Sequence, residues 1–306
     1  MKNFLGIEIG GSKLQFLVGD DEIKILERKR FNVEPAKGAG GIRQAIQDAL
    51  PELLTKWSPA AIAVGFGGPV DWRTGAISRS HQIEGWSGFE LGPWLQRLTS
   101  RPVLVDNDAN MGALGEAMAG AGKGFNPVFY ITLGSGVGGG LVVNGAIYHG
   151  AKPGESEVGH VRLDREGTIV EDRCSGWAVD RRIRKLVQEG DKGVLAQLAK
   201  GANGGEARFL AKALQAGDLA AHEILKETAD ELGWALSHVV HLFHPGVIVI
   251  GGGLSLVGEP VRAAVAEALP RHIMEVFRGT TEVRLAALGE DAVPTGCLIA
   301  GRQSVG

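Results

Sequence analysis

The chain has 306 residues, a formal net charge of −3, 44% hydrophobic and 22% charged residues. That length suits two domains with a core each, and the balance excludes disorder and a broad basic footprint for nucleic acid. No apolar run reaches the roughly 20 residues of a membrane span, and the only cysteines, Cys174 and Cys297, form no CxxC pair, which leaves neither a disulfide framework nor a cysteine zinc site.

The N-terminus, MKNFLGIEIG, enters a strand pattern directly and shows no signal peptide, so a cytoplasmic protein is expected. Residues 4–9 and 13–19 read as strands around Gly10-Gly11, and residues 23–32 as a third. Glu8 precedes the two glycines; Ser12 and Lys13 follow them. A tight hairpin turn accounts for the glycines alone. A phosphate cradle accounts for the whole set, and the residues by themselves leave both readings open. GGIRQAIQDALPELLTKW reads as a helix with Pro51 as a candidate break. AAIAVGFGGPV is a buried strand ending in glycines, and RPVLVDND a short strand before the helical ANMGALGEAMAGA.

PVFYITLGSGVGGGLVVNGAIYHG then repeats the opening plan of strand, glycine turn and strand, which suggests two halves with a boundary near residues 115–125. Residues 177–243 are mainly helical; Leu225, Leu232, Leu236, Val239 and Phe243 mark one apolar face of the last helix, which ends at His244-Pro245-Gly246. GVIVIGGGLS is a strand emptying into Gly251, Gly252 and Gly253, and the tail AVPTGCLIAGRQSVG forms a short helix with small residues on its packing face.

Three glycine-rich strand ends leave backbone N–H groups uncovered, where anionic oxygen can approach closely. Together they point to a nucleotide held between two halves. GSGVGG, residues 134–139, matches GxGxxG formally, but a β-branched, glycine-broken segment follows where a dinucleotide fold needs a helix. No GxxxxGK[ST] is present, so a P-loop fails too. Asp106 and Asp108 flank Asn107 at a strand end, where a carboxylate can act as base or can cap the following helix. Glu157 and His160, with Glu171 further on, can grip vicinal hydroxyls or line an exposed polar loop. His238, His241 and His244 drift around a helix surface and read as partnered helix residues, not metal ligands.

In this order, GIEIGGSK, GFGGPVD, DNDANMGALGEA, ITLGSGVGGGLVVNG, ESEVGH and VIVIGGG resemble the ROK family (repressors, open reading frames, kinases), a branch of the hexokinase–actin ATPase superfamily. The resemblance covers essentially the whole chain. It implies a two-domain α/β actin/hexokinase-like (ribonuclease H-like) fold with the active site in the interdomain cleft. Residues 1–118 would form a small N-terminal domain, with the helix at about 292–306 packing back on it, and 119–291 a large domain. Gly10, Gly11, Ser12 and Lys13 would belong to the first phosphate loop, with Glu8 near the magnesium. Thr132, Gly134, Ser135 and Gly136 would belong to the second phosphate loop, and Gly251, Gly252 and Gly253 to the adenosine loop. Asp108 takes the position of the catalytic base, Asn107 is a sugar ligand, and Glu157, His160 and Glu171 match the sugar-gripping set. Gly68 and Gln82 would lie on the other wall of the sugar site.

Two departures matter. The family's CxCGxxGC zinc module is replaced by LDREGTIV, so no zinc is expected, and this segment should hold its shape by strand pairing with Leu163, Ile169 and Val170 as an apolar anchor. Gln82 stands where sugar kinases of the family commonly have asparagine. The resemblance further implies a homodimer that transfers a phosphoryl group from Mg·ATP to a hexose, with glucose as the default. Fructose, mannose, allose, an N-acyl amino sugar, polyphosphate as donor, and a non-catalytic sugar-binding protein are the alternatives. No helix-turn-helix precedes the first phosphate loop, which favours the kinase.

Overall fold

The computed structural model describes the chain apart from Met1, Ser12, residues 79–82, Pro153 and Glu155. It divides into two compact units: unit 1 runs to Gly124 and adds Gly140–Ser156 and Glu290–Gly306, and unit 2 comprises Phe125–Gly139 and Glu157–Gly289.

Unit 1 begins with an antiparallel meander of β1 (Phe4–Ile9), β2 (Lys13–Gly19) and β3 (Ile25–Asn32). The third strand starts two residues later than the sequence suggests. Ile23 sits at φ +63, and Asp20 Oδ1 accepts the N–H groups of Glu22 and Lys24, which closes a turn first. Helix α1 (Gly38–Trp57) runs unbroken through Pro51, because Ile42, Ile46, Leu50 and Leu53 form one buried stripe across it. Strand β4 (Ala61–Phe66), the ribbon β5 (Val70–Asp71) and β6 (Ala76–Ile77), α2 (Leu91–Thr99), β7 (Val103–Asn107) and α3 (Asp108–Ala119) follow. The main sheet has the order β3-β2-β1-β4-β7, with β1, β4 and β7 parallel. The parallel strands therefore end side by side, at Ile9, Phe66 and Asn107, where ligands of open α/β sheets collect. Leu5, Ile7, Phe16, Ile46, Val64 and Trp86 fill the core beneath them, each side chain contributing about 1.5–3 kcal/mol on burial.

Unit 2 carries β8 (Val128–Leu133) and the start of β9 (Val137–Val143); from Gly140 the chain belongs to unit 1, with β10 (Ala146–Ile147). Next come α4 (Val170–Cys174), α5 (Gly176–Gln188), α6 (Val194–Ala199), α7 (Leu210–Gln215) and α8 (Leu219–Phe243). Strand β11 (Val247–Gly251), α9 (Glu259–Ala268) and β12 (Glu282–Leu285) complete the unit, with β11 parallel to both β8 and β12. The apolar face of α8 is buried at Leu225, Leu232, Leu236 and Val239 but frays at Phe243, and His244 ends the helix at φ +46.

Sequence order groups residues 140–156 with the second half; in the structure they pack in unit 1. Gly140 lies so close to α3 that an added Cβ would stand 2.7 Å from that of Ala113, and Asn110 donates to the Gly154 carbonyl at 3.2 Å. The last helix, α10 (Ala292–Gln303), also packs on α3, backbone to backbone: a Cβ on Gly296 would fall 1.8 Å from the Met111 oxygen. The LDREGTIV segment forms a single antiparallel bridge, Arg162 to Ile169, not a strand pair. Asp164 Oδ1 accepts the N–H groups of Gly167 and Thr168 and closes the turn, and Val170, already helical, is its buried anchor. No described helix is long and apolar enough to cross a membrane.

Candidate active site

Asp108 is the first residue of α3, set at the carboxyl end of β7. The helix cap, which the sequence left open to either carboxylate, belongs to Asn107. Its backbone is extended (φ −64, ψ 145), and its Oδ1 accepts the N–H of Ala109 at 2.8 Å and of Asn110 at 3.3 Å. Its Nδ2 donates to the Gly68 carbonyl at 3.2 Å, which joins the GGPVD segment to the turn. Asp108 Oδ1 accepts the Ala109 N–H at 2.8 Å, while Oδ2 faces Gly67, 3.4 Å from where a Cβ would sit. Burial and then the negative charge of Glu8 lift the Asp108 carboxyl to about 7, against the opposing pull of the Ala109 N–H and Lys13. A carboxyl near neutrality, with Oδ2 unbonded among the described residues, is suited to accepting a proton from a hydroxyl.

Glu8 lies directly behind, on β1. Its carboxylate is buried, paired with Lys13 at 3.0 Å and with the amide of Gln15, its cross-strand neighbour. The ammonium of the first glycine turn is thus held by the carboxylate of the same turn. Gln15 escaped the sequence reading, although the register of a hairpin around Gly10-Gly11 contains the signal: residue 8 faces residue 15. Gly10 closes the turn by donating to the Lys13 carbonyl at 2.9 Å, and Gly67 donates to the Ile9 carbonyl at 2.9 Å. Glu8, Gly10, Lys13, Gly68, Asn107 and Asp108 are thereby assembled within unit 1.

Asp106 is not a second base. Its Oδ1 accepts the Asn107 N–H at 2.7 Å and the Asn110 amide at 2.9 Å, and its Oδ2 pairs with His149 Nε2 at 2.6 Å. His149 in turn stacks on Trp72, centroids 4.1 Å apart. No spacing rule links residues 72, 106 and 149, so the sequence concealed this group.

In unit 2 the turn between β8 and β9 is made of backbone. Gly134 donates to the Gly136 carbonyl at 2.9 Å and accepts from Gly176, the first residue of α5, at 2.8 Å. Ser175 caps α5 by accepting from Ala178. Gly251 pairs with Thr132 along the sheet, and Gly252, at φ +80, presses on Leu133 so closely that a Cβ would lie 2.5 Å from its nitrogen. The second and third glycine turns therefore adjoin. Ser135 is exposed, a Cβ on Gly134 would meet nothing nearer than 4.0 Å, and one on Gly253 nothing within 4 Å, so a polyanion can approach this backbone.

Glu157 and His160 are exposed and share one short 3₁₀ turn, and the Arg162–Ile169 bridge brings Glu171 back toward it. Glu171 Oε2 accepts the Val137 N–H at 2.9 Å, so this oxygen already braces the start of β9. Ser12 and Gln82 lie outside the described residues. Cys174 is fully buried, and burial pushes its thiol well above the usual range, the reverse of a metal-bound thiolate. His238 stands edge-on to Trp234, His241 accepts the Met274 N–H, and His244 stacks on Phe277, so each has a partner. Among the described residues no group of three or more His, Cys, Asp or Glu could hold a metal.

The sequence profile described as the ROK family matches residues 4–303. A glucokinase from Halalkalibacterium halodurans is 32% identical over 305 residues, covering 94% of this chain and 92% of that one. A glucokinase from Thermotoga maritima is 28% identical over 296 residues, covering 94% and 93%. The crystal structure of a ROK family glucokinase from Streptomyces griseus in complex with glucose and AMPPNP matches with a TM-score of 0.85 at 30% identity, over 98% of this chain and 99% of that one. The α/β fold with its mixed sheets is the actin/hexokinase-like fold that the motifs implied.

Proposed function

Because the chain belongs to the ROK family, we propose that it is a sugar kinase that transfers the terminal phosphoryl group of Mg·ATP to a hexose hydroxyl, with glucose as the substrate and glucose 6-phosphate as the product. The observation that carries this reading is Asp108, set at the carboxyl end of β7 with Oδ2 facing Gly67, unbonded among the described residues, and a carboxyl lifted to about 7. Asp108 takes the hydroxyl proton as the oxygen attacks phosphorus. Asn107 and Gly68 present polar groups beside it, and Glu157, His160 and Glu171 donate to and accept from the other sugar hydroxyls. The turns at Gly10 and Gly11 in unit 1, and at Thr132 to Gly136 and Gly251 to Gly253 in unit 2, offer main chain free of bulky side chains to the nucleotide, the N–H groups of Gly10 and Gly134 being already spent within their own turns. Mg²⁺, held mainly by the nucleotide with Glu8 nearby, would supply positive charge to the transferring phosphoryl group. Glu8, with each oxygen already partnered, suits contact with it through water. The chain acts without zinc, as a homodimer. The glucokinases at 28–32% identity and the glucose- and AMPPNP-bound relative support the choice of sugar and donor.

A coupled ADP-release screen of purified protein against glucose, fructose, mannose, allose and N-acyl amino sugars tests the reading, with a second arm supplying polyphosphate. Glucose should give the highest kcat/KM with ATP, and chelating zinc should leave the rate unchanged. Sugar binding without turnover on either donor would instead assign a non-catalytic sugar-binding role.

A further inference from the structure

Three stretches distant in sequence converge beside Asp108: residues 67–72, the turn 106–110, and the segment that carries His149 and Gly154, all within unit 1. Asp106 is their common point. It is 6% exposed, and its carboxylate has three protein partners: the Asn107 N–H, the Asn110 amide and His149. The first two bonds fix the turn from both sides of Asp108. Asn107 supplies the helix cap, and Asn110, fully buried, ties the next turn of α3 to the Gly154 carbonyl. Among the described residues, His149 alone fills the remaining oxygen. Its ring is held in turn by the face of Trp72, at an interplanar angle of 15°, on the strand end that leads from Gly68.

We propose that His149 is a positioning residue for Asp108, acting through Asp106 as a clamp that Trp72 orients. A buried carboxylate oxygen left without a donor is costly, so Asp106 deprived of His149 must turn toward another donor or admit water. Either change weakens its hold on Asn107 and Asn110, and so on the backbone that carries Asp108. Asp108 itself touches neither His149 nor Trp72 in any bond described above, so its chemistry stays intact while its placement loosens. The catalytic consequence rests on the sugar-kinase reading; the clamp itself does not.

The experiment compares His149→Ala, His149→Gln and Trp72→Leu in the full chain. The glutamine amide nitrogen has about the reach of the imidazole Nε2 and should restore the bond to Asp106. Site-resolved amide hydrogen exchange should show faster exchange at Asn107, Ala109 and Asn110 in His149→Ala, by about tenfold or more. His149→Gln should be near the parent, and Trp72→Leu intermediate. With Mg·ATP and the best hexose, kcat of His149→Ala should fall about tenfold to a hundredfold, as for a displaced catalytic group, with the ATP KM within about twofold and recovery in His149→Gln. Unchanged exchange at the 106–110 turn would overturn the clamp. Faster exchange spread evenly over unit 1, with no recovery in His149→Gln, would assign His149 to general stability and overturn it equally. If the parent phosphorylates no hexose, the sugar-kinase reading fails, and the exchange pattern still decides the clamp. If His149→Ala does not fold, Trp72→Leu against the parent decides by the same pattern.

Discussion

The first and second glycine turns share a plan of strand, glycines and strand, yet they work by different physics. In the turn between β1 and β2, side chains dominate: Glu8, Lys13 and Gln15 form a small charged group whose net effect reaches Asp108. In the turn between β8 and β9, backbone dominates. Gly134 bonds Gly136 and Gly176, and a carboxylate from α4, Glu171, braces Val137. The glycines differ accordingly. A Cβ on Gly10 would meet nothing closer than 3.6 Å, whereas one on Gly136 would stand 2.4 Å from Glu171. The first turn sets electrostatics, and the second exposes and props up the main chain.

The largest effect is expected at Asp108, the proposed base, whose carboxyl the first turn tunes. Asp108→Asn should lower kcat by at least about two orders of magnitude while calorimetry finds sugar affinity within a few-fold of the parent. Near-parental turnover would reduce Asp108 to a helix residue.

Glycine substitutions separate the two turns by stability. Gly252→Ala combines an unfavourable φ of +80 with contact at 2.5 Å to Leu133 backbone, and chemical denaturation should show a loss of about 3 kcal/mol or failure to fold. Gly136→Ala displaces only the end of Glu171, at about 1–3 kcal/mol for the lost Val137 bond. Gly10→Ala should stay within about 1 kcal/mol of the parent. Equal losses at Gly10 and Gly252 would erase the contrast.

The pH–rate profile reads the charges of the first turn. Asp108 must be ionised to accept a proton, so kcat/KM should fall on the acid side of about pH 7. Glu8→Gln removes a negative charge that disfavours ionisation and should move this limb to lower pH. Lys13→Met removes a stabilising cation and should move it, by less, to higher pH. No movement in either variant would uncouple the turn from the base.

The smallest effect is on melting temperature. The folded carboxyl of Asp108 titrates near 7 and the unfolded one near 4. Its contribution to stability is therefore whole below about pH 4 and is lost as the pH rises through about 7. Asp108→Asn lacks that loss, so it should melt a few degrees above the parent at pH 8, with the gap closing near pH 4. A gap independent of pH would mean that the carboxyl is not strained by ionisation.

Much of this was legible from residue order. Short, nearly continuous apolar runs mark β1, β2 and β8, glycine clusters mark their ends, and the i, i+4 stripe of α1 and the small-residue face of α10 announce packed helices. These signals are local, because hydrophobic period and turn chemistry act over a few residues. Asp108 was legible for the same reason: it stands at a strand end before a helix. The interruption read at Pro51 was not realised, since the buried stripe around it outweighs one missing backbone donor.

What the sequence by itself determined, then, is the principal strands and helices, the three glycine turns and the place of Asp108 at a strand end before a helix. Only the tertiary structure decided who holds whom. That residues 140–156 pack with unit 1, that Asn107 and not a carboxylate caps α3, that Asp106 is spent on Asn110 and His149, and that Glu171 braces Val137 all follow from contacts between segments far apart in the chain. Such contacts leave no periodicity in the sequence, because hydrogen bonding and burial depend on distance in space, and distance in space is fixed only when the strands have ordered and the helices have packed on them.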